Sequence, residues 1–371
     1  MLKICQICSV VPPGRDSVGE SALKIKSLLE KEGNSSIIVT SIHQDGTGSK
    51  GIIPYFKKWN IRQALSSINF MKINSVDLII FHYPTSYYKR NLLVSLYPLI
   101  YRLFNFKIVA FIHEYSSYSI KGKIRIFPII VFSNRIITTD HYNLDSISKI
   151  PGVRKKINMI PIGSIFSDSF FSSKDNKGKR KTIKKENKKY DLLYFGYIMH
   201  GKGLDILLDA FECNEILRER FTLNIVGNIP EVLNNETKLL VDKIGNNRLI
   251  KYWGYLDNNE FAEFIQSIDF ACLPFINGVT IRRSSFMTAM AFGKPILTVV
   301  SKIKIEGLYN MNNVIFIDSP SKAALTKTLL LILKLDRQKI DEIGENAKKW
   351  YMQNYSERIF IDKILKVISN V

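Results

Sequence analysis

Short apolar runs alternate with longer amphipathic stretches along most of the chain. Residues 4–11, 36–41, 76–81, 107–112, 135–139 and 156–160 are short, rich in β-branched residues and bounded by polar ones, which predicts strands. Residues 17–32 and 89–104 have helical length and spacing. Residues 165–189 are polar, charged and without periodicity, and they break the pattern. It then restarts. Strands are predicted over 191–197, 221–226, 270–274, 296–299 and 314–317, and helices over 204–212, 259–267, 284–292, 322–335 and 341–354. Strand–helix alternation implies parallel sheets covered by helices on both faces. The expectation is α/β: two tandem doubly wound, Rossmann-like domains over residues 1–165 and 190–355. A basic linker or loop joins them over 166–189, and a helix over 356–371 can cross back to the first. Ligands of such sheets bind outside the carboxyl ends of the strands. Two domains facing a cleft would therefore hold a ligand between them.

Composition agrees with a folded, multi-domain chain and excludes wholesale disorder: 371 residues, 46% apolar and 23% charged. The net charge of +20 points to an anionic partner, and its distribution sharpens the picture. Residues 1–164 carry +13, residues 165–189 +6, and residues 190–371 only +1. The two domains are thus expected to have different neighbours. The start runs straight into a strand pattern, so no signal peptide is expected. No apolar stretch is long enough to cross a membrane; the nearest candidate, residues 91–112, is interrupted by Arg102 and Lys107. A cytoplasmic protein at the inner face of the cell membrane is expected.

Cys5 and Cys8 form a C-x-x-C, but both fall in the first predicted strand, where residues three apart point to opposite faces. With no second Cys/His pair to complete a metal site, they read as small core residues.

Candidate chemistry sits at strand ends. Gly196-Tyr197-Ile198-Met199-His200-Gly201-Lys202-Gly203 joins a strand to a helix. Glycines there let backbone approach an anion, a helix N-terminus favours negative charge, and Lys202 adds a full cation. Gly227-Asn228 ends the next strand. Thr280-Ile281-Arg282-Arg283-Ser284 precedes a helix closed by Gly293 and Pro295, and arginine forks suit phosphate oxygens.

The collinear order of these segments resembles GT-B glycosyltransferases, closest to the family 4 group. The order is Gly-x5-Lys-Gly-Leu-Asp, Ile-Val-Gly, Trp-Gly-Tyr-Leu-Asp, Ile-Asp-Phe-Ala-Cys-Leu-Pro and Ala-Met-Ala-Phe-Gly-Lys-Pro. Pro12-Pro13-Gly14-Arg15-Asp16-Ser17-Val18-Gly19 resembles the family's N-terminal acceptor loop. The Gly-Val-x-x-Arg-Arg-x-Ser run resembles a subgroup of surface-polysaccharide (O-antigen or capsule) pathways.

The resemblance implies a nucleotide-sugar donor held by Gly196, Lys202, Gly227, Asn228, Tyr255, Thr280, Arg282, Arg283, Ser284 and Thr288, with residues 253–256 near the base. It implies a lipid-linked or growing glycan acceptor near Gly14, Arg15, Gly19 and His82. His113 would face the transferred sugar, and Asp16, His113 and Glu114 are the candidate general bases. Two departures stand out. Tyr197 replaces the usual arginine after the first glycine, and Thr280 and Thr288 fall where the family's paired glutamates lie. Arg282 and Arg283 would supply the missing charge to the diphosphate. With no Asp-x-Asp motif, transfer is expected to be metal-independent and, by resemblance, retaining; no cofactor beyond the donor is implied.

In the basic half, Lys57-Lys58-Trp59, Tyr87-Tyr88-Lys89-Arg90 and residues 115–127 mix cations with aromatics, as an anionic membrane surface favours. Other readings are a catalytically silent partner of the same fold, a nucleotide-sugar epimerase, and a nucleic-acid binder. The last has no zinc-finger, RNP or helix-turn-helix signature behind it, so no nucleic-acid partner is expected.

Overall fold

The computed structural model describes all residues except 13, 15, 43–49, 86–87, 89–90, 173–188, 231–232 and 246–249. The described chain divides into two compact units. One comprises Met1–Ile165 with Glu357–Val371, the other Phe166–Ser356.

The first unit contains β1 (Lys3–Ile7), α1 (Ser17–Lys31), β2 (Ser35–Ser41), β3 (Ile52–Phe56), α2 (Ile61–Ile73) and β4 (Leu78–Tyr83). A 3-10 turn (Leu93–Leu96) leads into α3 (Tyr97–Leu103), β5 (Lys107–Ile112), α4 (Ile120–Phe132), β6 (Arg135–Thr138), α5 (His141–Ser148) and β7 (Ile157–Met159). The strands form one parallel sheet, ordered β3-β2-β1-β4-β5-β6-β7. Its central strands are buried on both faces, as parallel sheets require; every residue of β4 is buried. Alternation sorts their side chains into two layers. Cys5, Ile79, Phe81 and Ala110 face one apolar cluster, and Ile4, Leu78, Ile80 and Phe111 another. The second layer is closed by α1 and by the chain's last helix, which supplies Phe360, Ile361, Ile364 and Val367. Each such side chain contributes roughly 1.5–3 kcal/mol on burial.

Cys5 and Cys8 lie in different clusters, both thiols free and buried. Burial pushes the Cys5 thiol up to about 12. The single helix expected over 89–104 is in fact the 3-10 turn followed by α3, because Pro98 sits in the first turn of α3, where a proline starts a helix rather than continuing one.

The second unit contains α6 (Ser169–Ser172), β8 (Tyr190–Phe195), α7 (Leu204–Cys213), α8 (Glu215–Arg220), β9 (Phe221–Val226), α9 (Asn235–Gly245) and β10 (Ile250–Tyr252). It continues with α10 (Asn258–Ser267), β11 (Phe270–Leu273), α11 (Ser284–Ala291), β12 (Ile296–Val299), β13 (Ile315–Ile317), α12 (Lys322–Ile332) and α13 (Arg337–Tyr355). Its parallel sheet runs β10-β9-β8-β11-β12-β13. The remaining helix, α14 (Glu357–Ser369), is the one that packs in the first unit.

The linker expected over 166–189 starts later than the charge pattern indicates. Phe166 and Phe171 are buried in the second unit, where Phe166 stacks on Phe261 and Phe171 meets Phe292 edge-on. Lys348 Nζ donates to Phe171 O at 2.6 Å. Residues 173–188 lie outside the described part. No described helix is long and apolar enough to cross a membrane.

Candidate functional site

Each sheet has one place where strand order reverses. In the second unit it lies between β8 and β11, and ligands of open α/β sheets bind beyond the carboxyl ends of such a pair. The loops that leave these two strands are the glycine–lysine loop and the arginine-pair loop. They are drawn together where Gly203 meets Pro274: a Cβ on Gly203 would stand 1.9 Å from Pro274 O, and its φ is +83°. Only glycine fits on both counts. Gly203→Ala is therefore expected to destabilise the second unit by about 2–4 kcal/mol, read as a lower midpoint in chemical denaturation. Gly227 does the same beside Gly196, where an added Cβ would lie 1.8 Å from Gly196 O. Above Gly196 itself there is open space, with only Ser285 Oγ near, at 4.0 Å from where a Cβ would be.

Three cations gather on these two loops. Lys202 is half-buried, and its ammonium is lowered to about 8, first by desolvation and then by Arg283 and Arg282. Arg283 is lowered as well, by desolvation and then by Arg282, and its guanidinium lies over the Phe275 ring at 4.7 Å. Arg282 is exposed beside these two half-buried cations, and the like charges favour an anionic ligand.

Helix ends add to this. In the second unit α8, α10, α12 and α13 each begin with a side-chain cap, from Asn214, Asp257, Ser321 and Asp336. Helices α7 and α11, which start at the two loops, have none. Helix N-termini of this kind favour an anionic ligand.

The other expected donor residues are spread around this centre. Ser284 opens α11, Thr280 O accepts from Arg283 N at 3.0 Å, and Thr288 is buried one turn inside α11. Asn228 O accepts from Ile198 N at 3.0 Å, tying the glycine loop to the end of β9. Trp253 Nε1 donates to Asn224 Oδ1 at 3.1 Å, and Tyr255 is exposed. Tyr197 is also exposed. Lys294, from the Ala-Met-Ala-Phe-Gly-Lys-Pro segment, holds structure together instead. It is buried and donates to Gln266 O and Ile268 O at the end of α10.

The first unit's strand order reverses between β1 and β4. Here the hydroxyls of Ser9 and Thr85 hydrogen-bond, joining the loops that leave the two strands. Beneath them runs a polar chain. Gln6 Nε2 donates to Ser36 Oγ at 3.1 Å, which leaves Gln6 Oε1 to accept from His82 Nε2 at 2.9 Å. His82 Nδ1 is then an acceptor, 3.3 Å from His113 Nε2. His82 is fully buried and held down to about 3 by desolvation, so it stays neutral. The rings of His82, Phe111 and His113 stack, with His113 4.8 Å from Phe111 and only half-buried. His113's backbone is held as well: its N–H donates to Tyr83 O at 2.8 Å, and Asn143, braced by Asp140, accepts from Tyr115 N and Ser116 N.

Three expectations change. His82 is not an acceptor contact, because it is buried with both ring nitrogens engaged. Asp16, one of the three candidate general bases, is committed as the N-cap of α1, accepting from Val18 N at 3.0 Å, which disfavours it for that role. Gly19 is buried within α1, where a Cβ would stand 2.2 Å from Val10 O, so it serves close packing. Glu114 stays half-buried in the His113 loop and accepts from Ser117 Oγ at 2.8 Å. Gly14 donates to Val11 O at 3.0 Å within the β1–α1 loop; Arg15 lies outside the described residues. Gln6 and Asn143 are sites that the sequence did not announce. A glutamine inside an apolar strand is the signal that marks Gln6.

Residues 175–350 match the family model described as Glycosyl transferases group 1. The chain is similar in structure to HepE of Anabaena, solved in complex with UDP and glucose, at TM-score 0.77 and 16% identity over 100% of both chains. It is also similar to a glycosyltransferase from Rickettsia africae, at TM-score 0.74 and 15% identity over 100% of this chain and 99% of that one. The lipopolysaccharide outer core galactosyltransferase WaaB in its apo form matches at TM-score 0.66 and 13% identity over 99% of both. No curated protein matches the chain in sequence. The fold is GT-B, and the family match falls within its second unit.

Proposed function

We propose that this chain, with a Glycosyl transferases group 1 domain over residues 175–350 of a GT-B fold, is a glycosyltransferase using a nucleoside diphosphate sugar. The observation that carries this is the clustering of Lys202, Arg282 and Arg283 on two loops that meet at Gly203 and Pro274, each leading into a helix without a side-chain N-cap. As the acceptor oxygen bonds to the anomeric carbon, the bond to the diphosphate breaks and its electrons pass to the leaving phosphate. Fixed cations and helix N-termini stabilise that charge. The cation trio supports metal-independent transfer, and retention is proposed from the family resemblance.

His113 is proposed to face the transferred sugar. Its Nε2–H, held by His82, makes Nδ1 the basic atom of the ring. The acceptor is proposed to be a lipid-linked or growing surface polysaccharide, supported by the +13 charge of residues 1–164, with the protein at a membrane's inner face. UDP is the first nucleotide to examine, because HepE was solved with it. Incubating the full chain with UDP-, GDP-, dTDP- and ADP-sugars, with membrane lipid extract as acceptor, is expected to release one nucleoside diphosphate. Release of none, from a protein that binds none, would refute the proposal.

A further inference from the structure

Three aromatics of the stretches marked for a membrane belong to the core. Trp59 stacks on Phe56 with centroids 4.2 Å apart and donates to Ser41 Oγ, and Tyr88 and Tyr115 are buried. The exposed part of the 115–127 stretch lies on helix α4. Helix α4 is apolar on two sides. Ile126, Ile129 and Ile130 face the core. On the opposite side Ile120, Ile124, Phe127 and Val131 are 77%, 64%, 48% and 39% exposed. Their spacing of four, three and four residues aligns them in one stripe. An apolar stripe of this kind on the outer side of a surface helix marks an interaction face.

Charge decides what covers it. Helix α4 has no acidic residue, and Lys121 and Lys123 flank the stripe. Residues 78–139 hold eight Lys and Arg against a single acidic residue, Glu114. Helix α3, packed against α4, ends in exposed Leu103 and Phe104 beside Arg102. An apolar stripe edged by cations within a basic segment matches a bilayer of anionic lipid: side chains enter the acyl boundary while lysines reach the headgroups. A second copy of the same surface would bring like charges together.

We propose that the exposed face of α4, extended by the end of α3, is an in-plane docking surface for anionic membrane. This deepens the membrane-facing part of the proposed function and is independent of its donor chemistry. Full-length protein is expected to co-sediment with phosphatidylcholine vesicles containing roughly one third phosphatidylglycerol, and not with pure phosphatidylcholine. Ile124→Asp/Phe127→Asp should lower that binding at least about tenfold. Lys121→Gln/Lys123→Gln should weaken it less and flatten its salt dependence. An unchanged far-UV spectrum and unchanged UDP-induced stabilisation in each variant separate loss of docking from loss of fold or of the donor site. Wild-type protein that ignores anionic vesicles, or an aspartate variant that binds them equally well, would overturn the proposal. So would a wild-type dimer that Ile124→Asp dissociates without any vesicle binding.

Discussion

Replacing Lys202 by alanine is expected to cost transfer about 10²–10³-fold while making the ligand-free protein more stable. Both effects have one origin. Desolvation and then Arg283 and Arg282 disfavour the charged lysine, holding it at about 8 against 10.5 in the unfolded chain. For a lysine lowered in the fold, the unfolded chain binds more protons between those values. The penalty is thus complete below about pH 8 and is relieved as pH rises towards 10.5. A bound diphosphate reverses the preference and raises the lysine. Affinity should be highest below about pH 8 and decline above it, by at most about tenfold per pH unit. In Lys202→Ala the decline should vanish and the denaturation midpoint of the ligand-free protein should rise. Wild-type affinity that is flat from about pH 7.5 to 9.5 would show that Lys202 does not meet the diphosphate.

The second large effect concerns His113. His113→Ala should lower turnover about 10²–10⁴-fold and leave nucleotide affinity within about twofold, since the diphosphate cations all lie in the second unit. Gln6→Leu tests the chain behind it. Without Gln6 Oε1 the buried His82 Nε2–H loses its acceptor, which costs about 1–3 kcal/mol of stability and removes the reason for His82 to present Nδ1 to His113. Turnover should fall about 10–100-fold. Nitrogen-15 spectra of the histidine rings report the tautomers directly: wild-type His82 should carry its proton on Nε2 at every pH above about 4. If His82 is protonated on Nδ1, or if Gln6→Leu turns over like wild type, His113 owes nothing to the buried pair.

Much of the second unit's architecture was legible because its strands are short β-branched runs with glycines at their ends; β9 and β12 begin and end where the pattern placed them. The lysine and arginine loops could also be picked out, each following a strand. That they meet could not be read from spacing, because β8 and β11 become neighbours across two intervening strands. The Gln6–His82 pair was hidden for the same reason: β1 and β4 are adjacent only in the folded sheet, where register sets residue 6 near residue 82.

Helix α4 escaped the pattern because apolar residues on both sides leave no contrast between faces. Strand β10 escaped because three residues at a sheet edge carry little signal. Trp59 looked interfacial in the sequence since its burial depends on β3 and α2, neither of which stood out there.

The central claim is that the second unit binds a nucleoside diphosphate through Lys202 and the arginine pair. Calorimetric titration of UDP, GDP, dTDP and ADP into the full chain near neutral pH, with magnesium and again with EDTA, tests it most directly. One nucleotide is predicted to bind at a single site per chain, equally well in EDTA, and about a hundredfold more weakly in Lys202→Ala and in Arg282→Ala/Arg283→Ala. Absence of binding by all four, or binding that survives both sets of substitutions undiminished, would contradict it.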